Sequence, residues 1–383
     1  MKAVTASLLA SVFILTVPLS APAQQPPPDP LAGGNAVKWE GWSFNWKILP
    51  RQGVVLTHVS FQNRSVLKYA GIAEVFVPYN SGEPRPEDQR FHPFGENLIP
   101  LIPGEDCLPG GTCRAYAADG SLSNDKPVVM IHEEAPSLVY LGNEGRTHSK
   151  MLILWSAYAL GDYTYIVRWR FGQDGSIHPE VGLTGMLSHF GGDETNSTEV
   201  GAPQRALGHV HNIFFCLDFD IDGTKNTVEE FNYMPTGLER EKATATWTPI
   251  RYETGHDLKP DAFRSWRVVN YSSKNRLGHP RSYELIPGGT GIYRGAIPER
   301  FAHSDLWITK FKPNEVPGEQ LLADSLTSFV NDEKIENEDV VLWYMLSVHH
   351  QPRTEDWSAM PVHWCGFELM PRDFLDESPV RPK

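Results

Sequence analysis

The sequence predicts an all-β fold of the sandwich type, and three observations predict it. Short runs in which apolar and polar residues alternate are common, and long helical periodicity is scarce. The chain contains 31 Pro and 32 Gly, enough to separate many short strands. Aromatic residues, which favour strands, make up 11% of the sequence. The clearest predicted strands cover residues 54–61, 73–77, 152–158, 163–171 and 213–219.

The N-terminus has the pattern of a secretory signal peptide. A basic start at Met1-Lys2 is followed by an apolar run over 3–17 and by the small-residue site Ala21-Pro22-Ala23, so we predict residues 1–23 as the signal peptide. Residues 24–35 are rich in Pro and Gly and are predicted to be a disordered linker, which leaves 36–383 as the folded domain. No apolar run approaches the ~20 residues of a membrane-spanning helix. We therefore expect an exported protein, periplasmic or secreted, without a membrane span.

The net charge and the cysteines indicate which partners and which cellular compartment are compatible with this chain. A formal charge of −13 argues against a nucleic-acid partner and is compatible with cationic substrates. Four cysteines in an exported chain allow disulfides. Cys107 and Cys113 bracket a turn-rich loop and form our preferred bridge, whereas Cys216 and Cys365 either pair or remain buried thiols.

Two histidines one residue apart, His209 and His211, are the first candidate metal ligands. Side chains at i and i+2 of a strand share one face, so both can reach one ion, and imidazole suits copper, zinc, iron or nickel. A third ligand must come from elsewhere, and the alternative is a pair of surface histidines. The carboxylates of Asp218 and Asp220 instead suit calcium, the alternative being a solvated turn before Gly223.

The segment 338–357, with its His350-Gln351-Pro352-Arg353, resembles the catalytic domain of the copper-containing, quinone-cofactor amine oxidases. The smaller domains that usually precede this one in the family have no counterpart here, so we expect the catalytic domain alone. Further matches follow the family order over nearly the whole mature chain: Val37-Lys38-Trp39, Glu74-Val75-Phe76-Val77-Pro78-Tyr79, Ile131-His132-Glu133-Glu134, Gln173-Asp174-Gly175-Ser176, Trp266-Arg267-Val268-Val269-Asn270 and Asp305-Leu306-Trp307-Ile308-Thr309.

The resemblance implies a fold and two metal sites. The fold is the family's large β-sandwich, the supersandwich, which forms a homodimer. His349 is expected on the face opposite His350, and His132, His178 and His303 are expected to be structural. The implied copper ligands are His209, His211 and His350, and the implied calcium-type ligands are Asp218, Asp220 and Asp339 with the carbonyls of Phe219 and Val340.

The resemblance also implies a cofactor made from the protein itself. In the family, copper and dioxygen convert a tyrosine in a Thr-x-x-Asn-Tyr-Asp/Glu motif to topaquinone, and Tyr163 occupies this position. Ala159, Asp162 and Thr164 replace the usual threonine, asparagine and acid. An ionised Asp162 accepts but does not donate hydrogen bonds, and it would place negative charge beside an anionic quinone.

A second departure concerns the family's catalytic base, an aspartate in a Tyr-x-Asp-x-Gly-Glu pattern. The matching run ends at Glu96, with Phe91 in place of the gating tyrosine and Pro93 in place of the base. Proline cannot accept a proton, and a general base contributes about 10²- to 10⁴-fold in rate. His92 is the nearest substitute by type, although its side chain should leave a strand on the other face. Tyr79 matches a tyrosine that hydrogen-bonds the quinone.

Three hypotheses follow. In the first, the protein is a copper-dependent oxidase that converts a primary amine, dioxygen and water to an aldehyde, ammonia and hydrogen peroxide through topaquinone at Tyr163. In the second, it is a mononuclear copper protein without quinone that oxidises another substrate or handles copper. In the third, it is a scaffold that keeps its metals for stability and serves as a binding module.

Overall fold

Two large antiparallel sheets make up most of the described chain. The computed structural model describes residues 33–82, 88–106, 113–122, 126–201, 204–235, 243–288, 291–293, 300–315 and 326–380. The predicted signal peptide and nearly all of the predicted linker lie outside these residues. The linker prediction is wrong at Asn35, which opens the first strand because its backbone pairs with Trp46.

Twenty-three strands lie within the described residues, with one α-helical turn, Leu326–Phe329, and four short 3₁₀ turns. The 3₁₀ turns are Phe94–Glu96, Pro260–Ala262, Arg300–His303 and Thr354–Asp356. The strands are β1 Asn35–Trp39, β2 Trp42–Leu49, β3 Gly53–Phe61, β4 Arg64–Phe76, β5 Arg114–Tyr116, β6 Val129–Glu133, β7 Ser137–Gly142, β8 Gly145–Ser149, β9 Met151–Leu160, β10 Tyr163–Gly172, β11 Ile177–Gly185, β12 Ser197–Gly201, β13 Gln204–Leu207, β14 His209–Phe219, β15 Thr227–Pro235, β16 Ala243–Ile250, β17 Thr254–His256, β18 Ser265–Lys274, β19 Pro280–Ile286, β20 Leu306–Lys310, β21 Val340–His350, β22 Met360–Gly366 and β23 Glu368–Arg372.

The strands form two sheets and two separate hairpins. The first sheet has eight strands in the order β1-β2-β3-β4-β14-β21-β20-β17. The second has eleven, in the order β16-β15-β18-β19-β23-β11-β10-β9-β6-β5 with β22 also paired to β11. The hairpins are β7–β8 and β12–β13. The all-β prediction is confirmed, and the five predicted strands correspond to β3, β4, β9, β10 and β14.

Aromatic side chains fill the space between the two sheets. Phe44 of β2 stacks on Phe171 of β10, with ring centroids 4.5 Å apart. The indole of Trp42 donates a hydrogen bond to the Gly172 carbonyl at 2.8 Å. Trp169 packs edge-on against Phe215 of β14 at 6.1 Å. Each large apolar side chain buried in this way contributes roughly 1.5–3 kcal/mol, so the sandwich core is a rigid support for residues at its edges.

The register of three strands brings distant segments of the chain together at one end of the sandwich. In the first sheet, β14 and β21 are antiparallel, and His209 lies directly opposite His350. In the second sheet, Tyr163 begins β10 and lies on the same buried face as Tyr165, two residues further along the strand. The two-residue turn Gly161-Asp162 joins β9 to β10 and fixes where Tyr163 lies.

The cysteines divide into two groups. Cys113 is disulfide-bonded, and its predicted partner Cys107 lies outside the described residues. Cys216 and Cys365 are both free and buried, so of the two alternatives for this pair the buried thiols hold. Separately, none of the helices in the described segments has the length and apolar character that crossing a membrane requires.

Candidate metal centre

Three imidazoles converge at the end of the sandwich. His209 Nε2 lies 3.1 Å from His211 Nε2 and 3.2 Å from His350 Nδ1. The three candidate ligand atoms all lie within 4.8 Å of one another. Across the described segments, this is the one group of three His, Cys, Asp or Glu side chains that converges so closely.

This spacing fits a single transition-metal ion. Metal–imidazole bonds are about 2.0 Å long, so two nitrogens on neighbouring positions of one ion lie roughly 3 Å apart. The separations of 3.1 and 3.2 Å have that value. Imidazole ligation suits copper among other metals.

Each ligand is held by a different outer partner. His209 Nδ1 donates to the Leu207 carbonyl at 3.0 Å, which directs Nε2 toward the other two imidazoles. The Tyr165 hydroxyl lies 2.6 Å from His211 Nδ1. His350 Nε2 lies 3.1 Å from Asp356 Oδ2, so Nδ1 is the nitrogen that faces the other two imidazoles. Such outer hydrogen bonds fix both the ring orientation and the tautomer of a metal-binding histidine.

Burial keeps the imidazoles in the form that binds metal. His209 and His211 are 1% and 0% exposed, and His350 is partly exposed. Burial, and then the charges of His209, His350 and His363, hold the pKa of His211 well below its usual value. Burial also lowers the pKa of His350, although the hydrogen bond to Asp356 opposes this. A neutral imidazole is the state that donates a lone pair to a metal.

Tyr163 points at the same centre. Its hydroxyl lies 2.8 Å from His209 Nε2 and 3.3 Å from His350 Nδ1, and the residue is 1% exposed. The phenol oxygen therefore stands at ligand-to-ligand distance from two of the three nitrogens. A phenol beside a cupric ion is acidified, because the ion stabilises the phenolate.

A cleft of about 210 Å³ opens beside Tyr163 and gives access to the centre. It lies between the end of β21 and the edge strand β22. Leu183 and Met360 form part of its apolar wall, whereas His363 and Asp356 are among its polar groups. Its full lining is Tyr163, Leu183, Val348, His349, His350, Gln351, Arg353, Asp356, Met360, Pro361 and His363.

The register of β14 and β21 separates the two adjacent histidines. His349 lies opposite Val210, one position out of step with the His209–His350 pair. Successive side chains of a strand point to opposite faces, so the His349 imidazole is directed away from the three ligands. This is the arrangement expected from the sequence.

Tyr79 packs on the metal centre from the other side. Its ring lies 4.7 Å from the His209 ring and stacks at 4.0 Å on His189. The residue is 5% exposed. Backbone pairing between Tyr79 and His209 holds it there. Tyr79 therefore lies beside the metal centre, and its hydrogen bond to a quinone, implied by the resemblance, stays a prediction.

The residues that differ from the family motifs lie in different parts of the structure. Asp162 is exposed in the turn before Tyr163, and the expectation that its negative charge hinders an anionic quinone stays a prediction. Pro93 caps the 3₁₀ turn Phe94–Glu96, and Phe91 is 60% exposed. Neither Pro93 nor His92 lines the cleft that reaches Tyr163.

The predicted acidic cluster lies where β14 and β21 end together, with Phe219 opposite Val340. Both carboxylate oxygens of Asp218 and one each of Asp220 and Asp339 are buried without a hydrogen-bond partner. Lys68 Nζ, 3.8 Å from Asp218 Oδ2, is the nearby positive charge. Buried carboxylate oxygens that lack donors are the ligands that calcium uses, so the residues fit a hard cation.

The electrostatics of this cluster also fit a cation. Burial and then the charge of Asp339 raise the pKa of Asp218 to about 8. Burial raises the pKa of Asp339 to about 6 and also raises that of Asp220. A divalent ion would remove both causes, because it compensates the lost hydration and the mutual repulsion.

Three residues near the centre were not singled out from the sequence. Tyr165 could have been found from its i+2 spacing to Tyr163, which places both phenols on one face. Asp356 follows His350 by six residues and has no local pattern that marks it. His363 depends on the pairing of β22 with β11, for which the sequence carries no signal.

The fold and the three-histidine site together define a β-sandwich domain that can hold a metal ion, and comparisons place it in a family. The chain belongs to the copper amine oxidases: the family model "Copper amine oxidase, enzyme domain" matches residues 31–382.

Individual relatives agree with this assignment. The chain is 30% identical over 405 positions to a primary amine oxidase of Arthrobacter sp. (strain P1), covering 91% of this chain and 60% of the relative. It is 29% identical over 391 positions to the histamine oxidase of Arthrobacter globiformis, covering 91% and 57%. The chain thus spans about 60% of the length of curated relatives. A copper-containing benzylamine oxidase from Hansenula polymorpha shares the fold, with a TM-score of 0.80 at 24% identity over 96% of this chain and 64% of that chain.

Proposed function

We propose that this protein is a copper-dependent oxidoreductase that oxidises a primary amine with dioxygen. The overall reaction is RCH₂NH₂ + O₂ + H₂O → RCHO + NH₃ + H₂O₂. The observation that carries the proposal is the group of His209, His211 and His350 around one point, with the Tyr163 hydroxyl 2.8 Å from His209 Nε2. Relatives named for the oxidation of primary amines and histamine support the substrate class.

The residues have separate tasks in this proposal. His209 and His211 would hold copper through Nε2 and His350 through Nδ1, while the Leu207 carbonyl, Tyr165 and Asp356 orient the rings. Bound copper, with topaquinone formed from Tyr163, would supply a two-electron acceptor for the amine and a route for its electrons to dioxygen. The cleft of about 210 Å³ suits a small amine. Its apolar wall at Leu183 and Met360 would exclude water from the alkyl group.

The test is copper loading in air followed by phenylhydrazine. We expect the wild-type protein to bind about one copper per chain and to give a coloured hydrazone on the peptide that contains Tyr163. The Tyr163→Phe variant is the matched control, because it keeps the three histidines and removes only the hydroxyl. It should bind copper without forming the hydrazone.

Departures from two family motifs favour a second candidate function, a mononuclear copper protein without quinone that oxidises another substrate or handles copper. Pro93 stands where the family has its base, and Asp162 and Thr164 replace motif residues. Copper binding without a hydrazone in the wild-type protein would establish this second function. A folded protein that binds no copper would instead be a binding module.

The acidic cluster is proposed as a calcium site. Asp218, Asp220 and Asp339 would supply carboxylate oxygens, and Phe219 and Val340 would supply carbonyls. The support is the set of buried carboxylate oxygens without donors. Calcium should raise the melting temperature of the wild-type protein and leave that of Asp218→Asn nearly unchanged, and equal shifts in both would contradict the site.

We further propose that the protein is exported and forms a homodimer. The disulfide at Cys113 supports an oxidising compartment, and the N-terminal pattern supports export. The β7–β8 hairpin exposes Leu138, Val139 and Leu141 at 49%, 41% and 62%, an apolar set suited to a second copy of the chain. Light scattering should give twice the chain mass, and Leu141→Asp should reduce it to one. N-terminal sequencing of the exported protein should begin at Gln24.

A further inference from the structure

The proposed amine oxidation lacks a base at the position where the family provides one. Pro93 has no group that accepts a proton, and it caps a 3₁₀ turn outside the cleft that reaches Tyr163. His92 does not line this cleft either. A base for the reaction must therefore be sought among the residues that do line it.

Most polar residues of the cleft are already committed or face away. Asp356 accepts hydrogen bonds from His350 and from the backbone of Arg353, and it is 4% exposed. His350 is a proposed metal ligand. His349 is directed to the opposite face of β21. Arg353 and Gln351 are not bases at neutral pH.

His363 is the remaining candidate, and the strand register aims it at the centre. It lies opposite Leu183 of β11, which in turn lies opposite Tyr165 of β10. Residues paired across neighbouring strands point to the same face, so His363 shares the face of Tyr163 and Tyr165, at the exposed edge of the sheet. Within the described residues its imidazole makes no hydrogen bond or ion pair. Its charge is close enough to lower the pKa values of His211 and His350.

We propose that His363 is the general base that takes up the proton lost from the α-carbon of the bound amine. This inference rests on the proposed function. In the step, the α-carbon C–H bond breaks and its proton passes to the unprotonated ring nitrogen of His363. Its electron pair would pass to the two-electron acceptor that the loaded site would supply, and dioxygen would take up these two electrons and two protons, one from the α-carbon and one from the amine nitrogen, to become hydrogen peroxide. Imidazole is suited to this task because it accepts a proton near neutral pH.

The experiment compares His363→Ala with His303→Ala in the copper-loaded protein. Both variants remove an exposed imidazole, but only His363 lines the cleft that reaches Tyr163, whereas His303 lies outside it. Copper content and phenylhydrazine titre are measured first, and both variants should match the wild-type protein. Reduction of the protein by a small primary amine is then followed without oxygen.

We expect His363→Ala to slow reduction by about 10²- to 10⁴-fold, the usual contribution of a general base. Deuterium at the α-carbon should slow the variant further, and added free imidazole should restore part of the rate, which a structural role would not explain. His303→Ala should stay within about twofold of the wild-type protein. A His363→Ala protein with full hydrazone titre and an unchanged rate would overturn the inference and leave the proposed function intact. A wild-type protein without hydrazone would overturn both.

Discussion

At the scale of single residues, the metal centre depends on side chains that do not touch the metal. Tyr165 is 0% exposed, and its hydroxyl lies 2.6 Å from His211 Nδ1. It fixes the nitrogen through which His211 would bind. The histidines could be predicted from the sequence because i, i+2 spacing and a resemblance to a known motif mark them. Their outer partners could not, because contacts made across strands leave no local pattern.

The Tyr165→Phe variant tests this role. It removes the hydrogen bond to His211 while keeping the ring, so we expect copper affinity to fall by about 10- to 100-fold. The matched control is Tyr283→Phe, which removes a buried hydroxyl that donates to the Gly175 carbonyl far from the centre. Competition titration with a copper chelator measures both. Equal affinities in the two variants would show that Tyr165 does not orient the ligand.

Asp356 is a second positioning residue, for His350. Replacing it by Asn keeps the size but removes the charge that opposes the lowering of the His350 pKa. We expect Asp356→Asn to retain the fold and to lose about tenfold or more in copper affinity. The loss should be smaller at lower pH, because without the Asp356 charge the pKa of His350 falls further, so protons compete with the metal less in the variant than in the wild-type protein. A pH-independent loss would argue for a purely steric effect.

At the scale of strands, the position of Tyr163 depends on a glycine in the neighbouring strand. Gly185 lies opposite Tyr163 with φ +106°. A Cβ there would come within 2.5 Å of the Asp162 carbonyl oxygen and 3.1 Å of Tyr163 Cα. These are backbone atoms that cannot move without shifting the turn. The pairing of β10 with β11 is therefore compatible only with glycine at this position.

Gly185→Ala should destabilise the fold by on the order of 1–3 kcal/mol and reduce the phenylhydrazine titre, because Tyr163 is displaced. Gly191→Ala is the control: Gly191 has a similar φ, +126°, but no atom within 4 Å of its Cβ position. Thermal melts distinguish the cost of a positive φ, which both variants share, from the cost of the steric clash, which only Gly185→Ala creates. A loss of stability in Gly191→Ala as large as in Gly185→Ala would contradict the role of the steric clash.

The sequence predicts where the strands lie better than it predicts how they pair into sheets. The five strands predicted from alternation are present, although β10 alternates buried and partly buried residues whereas β4 and β14 are buried on both faces over most of their length. The pairing of β22 with β11, which places His363, is set by long-range packing. A register shift between Leu183 and Gly185 also interrupts this pairing, and no local sequence pattern predicts it.

At the scale of the whole molecule, the acidic cluster links stability to pH and to cations. The pKa of Asp218 is about 8 in the folded protein, well above its usual value, so the folded state binds more protons than the unfolded state between about pH 4 and pH 8. Stability without a cation must then fall as pH rises through this range. The buried histidines have the opposite effect, but only below about pH 7, where unfolded imidazole titrates.

We therefore expect the melting temperature in EDTA to fall between pH 7 and pH 9, and calcium to remove most of this fall. At a calcium concentration 100 times the dissociation constant, the gain in stability is about 2.7 kcal/mol. Asp218→Asn should show a weaker pH dependence and little response to calcium. A wild-type melting temperature that changes with neither pH nor calcium would show that Lys68 alone compensates the negative charge of the cluster.

The central claim is that His209, His211 and His350 hold one copper ion beside Tyr163. The most direct test is anomalous diffraction at the copper absorption edge from crystals grown with stoichiometric copper. We predict one strong peak per chain, about 2 Å from His209 Nε2, His211 Nε2 and His350 Nδ1. A strong peak elsewhere, with these three nitrogens unligated, would contradict the claim.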